Sequence, residues 1–216
     1  MTGTYPARRL LALSLAVLAP LASGCGSDDE PEPRGDGPLT VYSSLPRQGI
    51  SARQAGAVAA GQRLALSDAK GSAGGRRVRL VELDSAGGED GPWEPDAVEE
   101  NARRAAEDDS AVAYLGELDL GGSAVSVPVT NDADLLQVSP GDPLPSLTRS
   151  DPGGGGEIPA RYYPEGRRTF VRIVPHGGLQ AGLLVDWARE RGARSIAIVR
   201  DDSVLGRELA SWALEA

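Results

Sequence analysis

The sequence has little of the chemistry on which most enzymes and metal sites depend. Its 216 residues include one cysteine and one histidine. A single cysteine, Cys25, excludes a disulfide within the chain and a metal site built from several cysteines. Any histidine-based metal site or Ser-His-Asp triad would need His176, the lone histidine. We therefore expect no catalytic residue, no metal and no cofactor.

Aromatic side chains and positive charge are also scarce. Aromatic residues make up 4% of the chain, so the core must be built from Ala, Val, Leu and Ile. The formal net charge is -9. An acidic chain is a poor partner for nucleic acid, because phosphate binding needs clustered Lys and Arg. We expect no nucleic-acid partner.

No apolar run is long enough to favour a stable transmembrane helix. The longest begins after Arg8 and Arg9 and covers Leu10 to Leu21, which is 12 residues, whereas a bilayer span needs roughly 17–25. A positive start, a short apolar core and small residues before a cut are the plan of a secretory signal. The stretch Leu21-Ala-Ser-Gly-Cys25 resembles a bacterial lipobox, with the leucine one place further from the cysteine than is commonest.

These features predict a signal peptide over residues 1–24 and lipidation of Cys25 as the first residue of the processed protein. The alternative is an ordinary cleaved signal followed by a chance cysteine. Residues 25–38 form the lipidated cysteine and an acidic Gly- and Pro-rich linker with too little apolar surface to fold. We expect an extracytoplasmic protein that a lipid anchor holds at the cell membrane.

From residue 39 onward, apolar strand patterns alternate with helical ones. Predicted strands cover 39–44, 78–83, 111–115, 135–138, 169–174 and 195–199, and predicted helices cover 48–69, 95–108, 121–133, 179–191 and 204–216. Such alternation predicts a Rossmann-like parallel sheet with flanking helices. Ligands of such sheets bind beyond the carboxyl ends of the strands, which here directs attention to the loops after Ser44, Leu115, Val138 and Val199. No GxGxxG follows the first strand, which argues against a dinucleotide-binding enzyme.

Several short stretches, in this order and spacing, resemble the leucine/isoleucine/valine-binding family of type I periplasmic binding proteins. They are Gly61-Gln-Arg-Leu-Ala-Leu, Gly74-Gly-Arg-Arg-Val-Arg-Leu, Ala97-Val-Glu-Glu-Asn-Ala-Arg-Arg, Tyr114-Leu-Gly, Val138-Ser-Pro, the segment from Tyr162 to Pro175, Gln180-Ala-Gly, and Ala197 to Asp202 with Leu205-Gly206. The resemblance covers about residues 39–216.

The resemblance implies two lobes that close on a solute, joined by three crossings of the chain. It implies a first ligand-binding lobe over 39–168, then an interlobe crossover and the start of a second lobe over 169–216. We expect the second lobe to be incomplete in this sequence, as in a fragment or a truncated reading frame, with a natural one-lobe protein as the alternative.

The resemblance also indicates where a ligand would be held, by hydroxyl and backbone N–H donors after the third and fourth strands. The family's serine position falls on Leu120, its threonine position on Pro143, its aromatic position near Gln54 and its second-lobe tyrosine on Leu205. These departures predict a solute that depends less on a carboxylate anchor, or loss of binding. Backbone N–H groups at Gly121, Gly122, Gly141 and Asp142, and the hydroxyls of Ser123 and Ser139, remain candidate contacts.

The function that this resemblance implies is that of a solute-binding lipoprotein. It would bind an amino acid or a related small polar solute and deliver it to an ABC permease. A ligand-sensing lipoprotein that uses the same cleft, and a truncated chain that binds nothing, stay open as alternatives. A Rossmann-like enzyme is less favoured, because neither the glycine fingerprint nor a catalytic constellation is present.

Overall fold

A computed structural model describes residues 37–88, 93–149 and 160–216. The predicted signal peptide, Cys25 and the linker up to residue 36 lie outside the described residues. Within the part of the chain that the structure describes, no helix combines the length and the apolar character needed to cross a bilayer.

Five parallel strands and one short antiparallel strand form a single sheet in the order β2-β3-β1-β4-β5-β6. The strands are β1 (Leu39–Leu45), β2 (Ser72–Ala73), β3 (Arg76–Asp84), β4 (Ala111–Leu115), β5 (Leu136–Ser139) and β6 (Phe170–Arg172). The helices are α1 (Ala52–Asp68), α2 (Pro95–Ala106), α3 (Ser123–Asp132), α4 (Gly177–Glu190) and α5 (Val204–Glu215). Short 3₁₀ turns cover Gly49–Ser51, Pro145–Leu147 and Ala160–Tyr162.

Alternate residues of β1 face opposite sides of the sheet, as the period of a strand requires. Ser43 donates to Gln62 of α1 at 2.7 Å, whereas Ser44 accepts from Asn101 of α2 at 3.1 Å. Helix α1 therefore covers one face and α2 the other. This two-sided cover makes the sheet doubly wound and confirms the predicted Rossmann-like fold class.

Alanine, valine and leucine side chains fill the core together with four tyrosines and Phe170, so the predicted core of Ala, Val, Leu and Ile is confirmed only in part. One cluster lies between the sheet and helices α2 and α3, and its buried members are Tyr42, Leu83, Ala102, Ala105, Ala111, Tyr114 and Leu135. A second packs β6 and the segment after β5 against α3, through Val127, Leu144, Leu147, Tyr162, Tyr163 and Phe170. Strand β6, in the predicted crossover, thus belongs to the same sheet as β1 to β5.

One predicted strand is wrong. Residues 195–200 form no regular structure, and Ile196, Ile198 and Val199 are exposed. Their apolar alternation is typical of a strand, but a strand also needs a neighbour for its backbone N–H and C=O groups. Among the described residues, no strand pairs with this segment.

Candidate functional site

The strand order defines a crevice between β1 and β4. The chain leaves β1 for β3 on one side, then returns past β1 to place β4 on the other side. A doubly wound sheet binds ligands at this reversal, beyond the carboxyl ends of the strands. The loops that meet there follow β1 and β4, and Ser51 links them by donating to Asp119 Oδ1 at 2.9 Å.

A carboxyl group, Glu117, is buried at the floor of the crevice. Glu117 is 2% exposed and lies two residues after the end of β4. The Tyr114 hydroxyl donates to Oε1 at 2.7 Å and the Ser44 hydroxyl donates to Oε2 at 3.0 Å. Asn101 of α2 donates in turn to the Ser44 hydroxyl. The carboxyl group therefore ties the ends of β1 and β4 to α2.

Burial in this position raises the pKa of Glu117 to about 8, because the charged form loses its hydration. The hydroxyls of Tyr114 and Ser44 oppose the rise by bonding to the carboxylate, while the nearby charges of Asp142 and Asp119 add to it. At neutral pH the side chain is therefore mostly protonated and adds little charge to the crevice.

A second buried carboxylate, Asp142, lies at the N-terminus of α3. Asp142 is 0% exposed, and its Oδ2 accepts from the backbone N–H groups of Gly121 at 3.2 Å and Ser123 at 3.1 Å. Its Oδ1 accepts from Leu144 N–H at 3.0 Å. A helix N-terminus favours an anion because its first N–H groups have no partner within the helix. Here the chain supplies that anion itself.

The remaining candidate N–H donors also have partners within the chain. Gly141 and Asp142 both donate to the Ser139 hydroxyl, at 3.2 and 2.8 Å, and that hydroxyl donates to the Glu117 carbonyl at 2.7 Å. Gly122 donates to the Asp119 carbonyl at 3.4 Å. A ligand at these donors would have to displace an internal acceptor.

Gly141 lets the loops after β4 and β5 approach each other, and Gly122 lets the loop after β4 fold onto itself. A Cβ atom on Gly141 would lie 2.5 Å from the Leu118 carbonyl oxygen, and one on Gly122 would lie 2.8 Å from Glu117 Cβ. Both distances are far below an ordinary van der Waals contact. The close contact of the two loops is what brings Asp142 to the start of α3.

Arg172, at the end of β6, braces the loop after β5. Its guanidinium donates to the carbonyls of Asp142 at 3.1 Å and Leu144 at 2.8 Å, and to the Thr148 hydroxyl at 2.6 Å. Partial burial lowers the pKa of Arg172, and the negative charge of Asp142 counteracts this effect. The positive charge of Arg172 is thus committed to holding the loop.

A cavity of about 1180 Å³ opens beside these loops, against the α4–α5 pair. Its walls are mainly apolar and include Trp93, Leu120, Leu144, Val185, Leu205 and Leu209. Two arginines, Arg161 and Arg200, also line it. Arg161 donates to the Tyr162 hydroxyl, and Arg200 pairs with Asp202 at 3.1 Å.

The structure brings some of the predicted contact residues together and leaves others apart. Gly121, Ser123, Ser139, Gly141 and Asp142 form one hydrogen-bonded group with Glu117. Leu120, Gly121 and Leu205 line the cavity. Gln54 is exposed on α1, and the Pro143 carbonyl accepts from Gly177 N–H at the start of α4. Their roles as ligand contacts stay predictions.

Sequence reasoning missed the buried part of the site, namely Glu117 with its partners Ser44, Asn101 and Tyr114, and the brace Arg172. One signal was available. An acidic residue just beyond a buried strand, in a loop that the topology places at the switch point, is a candidate for a perturbed carboxyl group.

The doubly wound sheet with a crevice at its switch point places this chain among the α/β proteins. The model of one family, described as periplasmic binding protein, matches residues 40–216. The chain therefore belongs to the periplasmic binding protein family. No curated protein matches the sequence.

Solved structures share the fold at low sequence identity. A leucine-binding protein of Thermotoga maritima has a TM-score of 0.62 and 20% identity over 82% of this chain and 44% of its own. A substrate-binding protein of an ABC transporter from Desulfitobacterium hafniense, in complex with Leu, has a TM-score of 0.61 and 20% identity, with 81% and 45% coverage. A solute-binding protein from R. palustris, in complex with benzoate, has a TM-score of 0.63 and 20% identity, with 82% and 44% coverage.

These structures identify the fold as that of type I periplasmic binding proteins. The chain spans less than half the length of each of the three solved relatives.

Proposed function

We propose that this chain supplies the first lobe, and the crossover towards a second, of an extracytoplasmic solute-binding lipoprotein that serves an ABC permease. The observation that carries the proposal is the family match over residues 40–216. The position of the cavity supports it, because the cavity opens beside the loops of the switch point, where a sheet of this topology binds its ligand.

The solute is proposed to be a small organic molecule. Two of the solved relatives hold Leu and benzoate, respectively. We place the solute against Leu120, Gly121 and Leu205, which line the cavity. The other predicted contacts, which are Gln54, Gly122, Ser123, Ser139, Gly141, Asp142 and Pro143, are proposed to shape the site around it. Lipidation of Cys25 is the proposed anchor.

Ligand-induced stabilisation of the full-length protein tests the proposal. Thermal unfolding would be followed with a panel of amino acids, aromatic acids, amides, polyols and amines. A bound solute at 100 times its dissociation constant adds about 2.7 kcal/mol to the free energy of unfolding. We expect at least one class to raise the unfolding temperature. A panel that leaves this temperature unchanged throughout would contradict the proposal.

Two leucine variants locate the binding. Leu120 lines the cavity and is 51% exposed, whereas Leu64 on α1 is 61% exposed and does not line it. Leu120→Glu places a charge in the apolar wall and should abolish the ligand-induced shift. Leu64→Glu makes the same change on α1, away from the cavity, and should leave the shift intact. Equal loss in both variants would place binding elsewhere.

A further inference from the structure

The N-terminus of α3 is an anion-binding position at the crevice, and a carboxylate of the chain itself fills it. Three backbone N–H groups, those of Gly121, Ser123 and Leu144, converge on the Asp142 carboxylate at 3.0–3.2 Å. The carboxylate is completely buried, and the Arg172 guanidinium donates to the Asp142 carbonyl and does not line the cavity. A ligand anion at this position would meet both a bulky side chain and a like charge.

The loop after β4 carries acids and no bases. Glu117 and Asp119 lie on the loop that carries Gly121, and Glu117 is buried against Ser44. The two arginines of the cavity wall, Arg161 and Arg200, already donate hydrogen bonds within the chain. Among the described residues, Arg161 and Arg200 are the only cations of the cavity wall, and Arg149, in the segment after β5, is exposed and does not line the cavity.

We infer that Asp142 acts as a built-in anion that determines specificity, so that the solute of this crevice is a neutral or cationic molecule without a carboxylate. This inference rests on the proposed function. It separates this chain from relatives whose structures hold Leu or benzoate, since both ligands carry a carboxylate. Small amides, polyols and amines are the classes that fit.

Chemical rescue tests directly whether the Asp142 carboxylate fills an anion site formed by the three N–H groups. In full-length Asp142→Ala the three N–H groups lose their acceptor, so the unfolding temperature should fall. Acetate can re-enter the vacated space, and it should restore part of the loss when compared with chloride at equal pH and ionic strength. The wild-type protein should unfold at the same temperature in both salts. If the alanine variant does not fold, Asp142→Ser removes the same carboxylate and can be used for the same test.

Asp119→Ala is the matched control. It removes one acid from the same loop, but Asp119 accepts from the Ser51 hydroxyl and its side chain accepts no N–H of α3. It should show no response specific to acetate. An Asp142→Ala protein that is as stable as the wild type, or that ignores acetate, would overturn the inference. So would an equal acetate response in the wild type.

Titration calorimetry with benzoate and leucine tests the specificity. The wild-type protein should show no binding at ligand concentrations where Asp142→Ala does, a difference in affinity of about tenfold or more, because the vacated N–H groups can donate to the ligand carboxylate. Wild-type binding of benzoate or leucine that Leu120→Glu abolishes would contradict the inference and uphold the proposed function. If acetate stabilises Asp142→Ala but the wild type binds no solute, the proposed function is contradicted. Asp142 would still be the anion that fills the N-terminus of α3.

Discussion

At the scale of single residues, the crevice holds carboxyl groups in unlike surroundings. Asp142 accepts three backbone N–H groups, whereas Glu117 accepts only from two hydroxyls. Burial raises the pKa of both, and the donors around each oppose the rise. The difference in donors is why Asp142 suits a fixed anion and Glu117 suits a neutral, protonated group.

Glu117 should make the protein less stable as pH rises. Its pKa is about 8 in the folded chain and 4.5 as the ordinary value, so the folded state binds the extra proton between these limits. The free energy of unfolding should therefore fall by up to about 1.4 kcal/mol per pH unit across this window. Glu117→Gln keeps an acceptor for Tyr114 and cannot ionise, so it should remove this fall. Denaturant unfolding at pH 5 to 8 measures the fall in unfolding free energy. Parallel pH profiles for variant and wild type would mean that Glu117 does not cause this fall.

His176 should act in the opposite direction. Burial lowers the pKa of His176 below 6.5, and the positive charges of Arg172 and Arg149 lower it further. Because the unfolded chain takes up the proton first, stability should be lost as pH falls below about 6.5. His176→Phe keeps a ring against Trp212, whose ring centroid lies 5.2 Å away. The difference in unfolding free energy between variant and wild type should widen in favour of the variant from pH 7 to pH 5. A difference that stays constant over this range would contradict the predicted effect of His176.

At the scale of elements, contact between two loops positions the site, and glycine permits that contact. Gly141→Ala would press a methyl group against the Leu118 carbonyl, a backbone atom that cannot rotate away. We expect a loss of about 1–3 kcal/mol in unfolding free energy, as in other overpacked sites. Gly61→Ala in α1 is the matched control, because its Cβ would meet open space. That change should stabilise the helix by about 0.5–1 kcal/mol. Chemical denaturation of both variants checks the pair, and equal effects would argue against a tight loop contact.

Most strands and helices were predictable from the sequence, because each one buries its own apolar periodic face. Strands β1, β3, β4 and β5 and all five described helices lie within a few residues of their predicted bounds. The strand predicted at 195–199 failed, since a strand also needs a partner that its own sequence does not specify. The prediction of a Rossmann-like parallel sheet with flanking helices followed from the alternation of strands and helices.

The site was predictable only in part. The loops after β4 and β5 were identified because parallel strands end at one edge of the sheet. Gly121 and Asp142 were predicted as backbone donors, but the side chain of Asp142 is the acceptor for Gly121. That bond joins residues 21 positions apart. It depends on how closely the two loops pack, which sequence periodicity does not encode.

At the scale of the whole molecule, function depends on where the protein is held, and Cys25 is the residue that should decide this. A lipid chain stabilises membrane attachment by about 0.8 kcal/mol per buried methylene, so loss of the acceptor thiol should release the protein. We expect Cys25→Ser to move the protein from the membrane fraction to the medium of cells that express it. Ser27→Ala, two residues further on, keeps the only thiol and should stay on the membrane. Immunoblots of both fractions measure the distribution. Retention of Cys25→Ser on the membrane would mean that another segment anchors the protein.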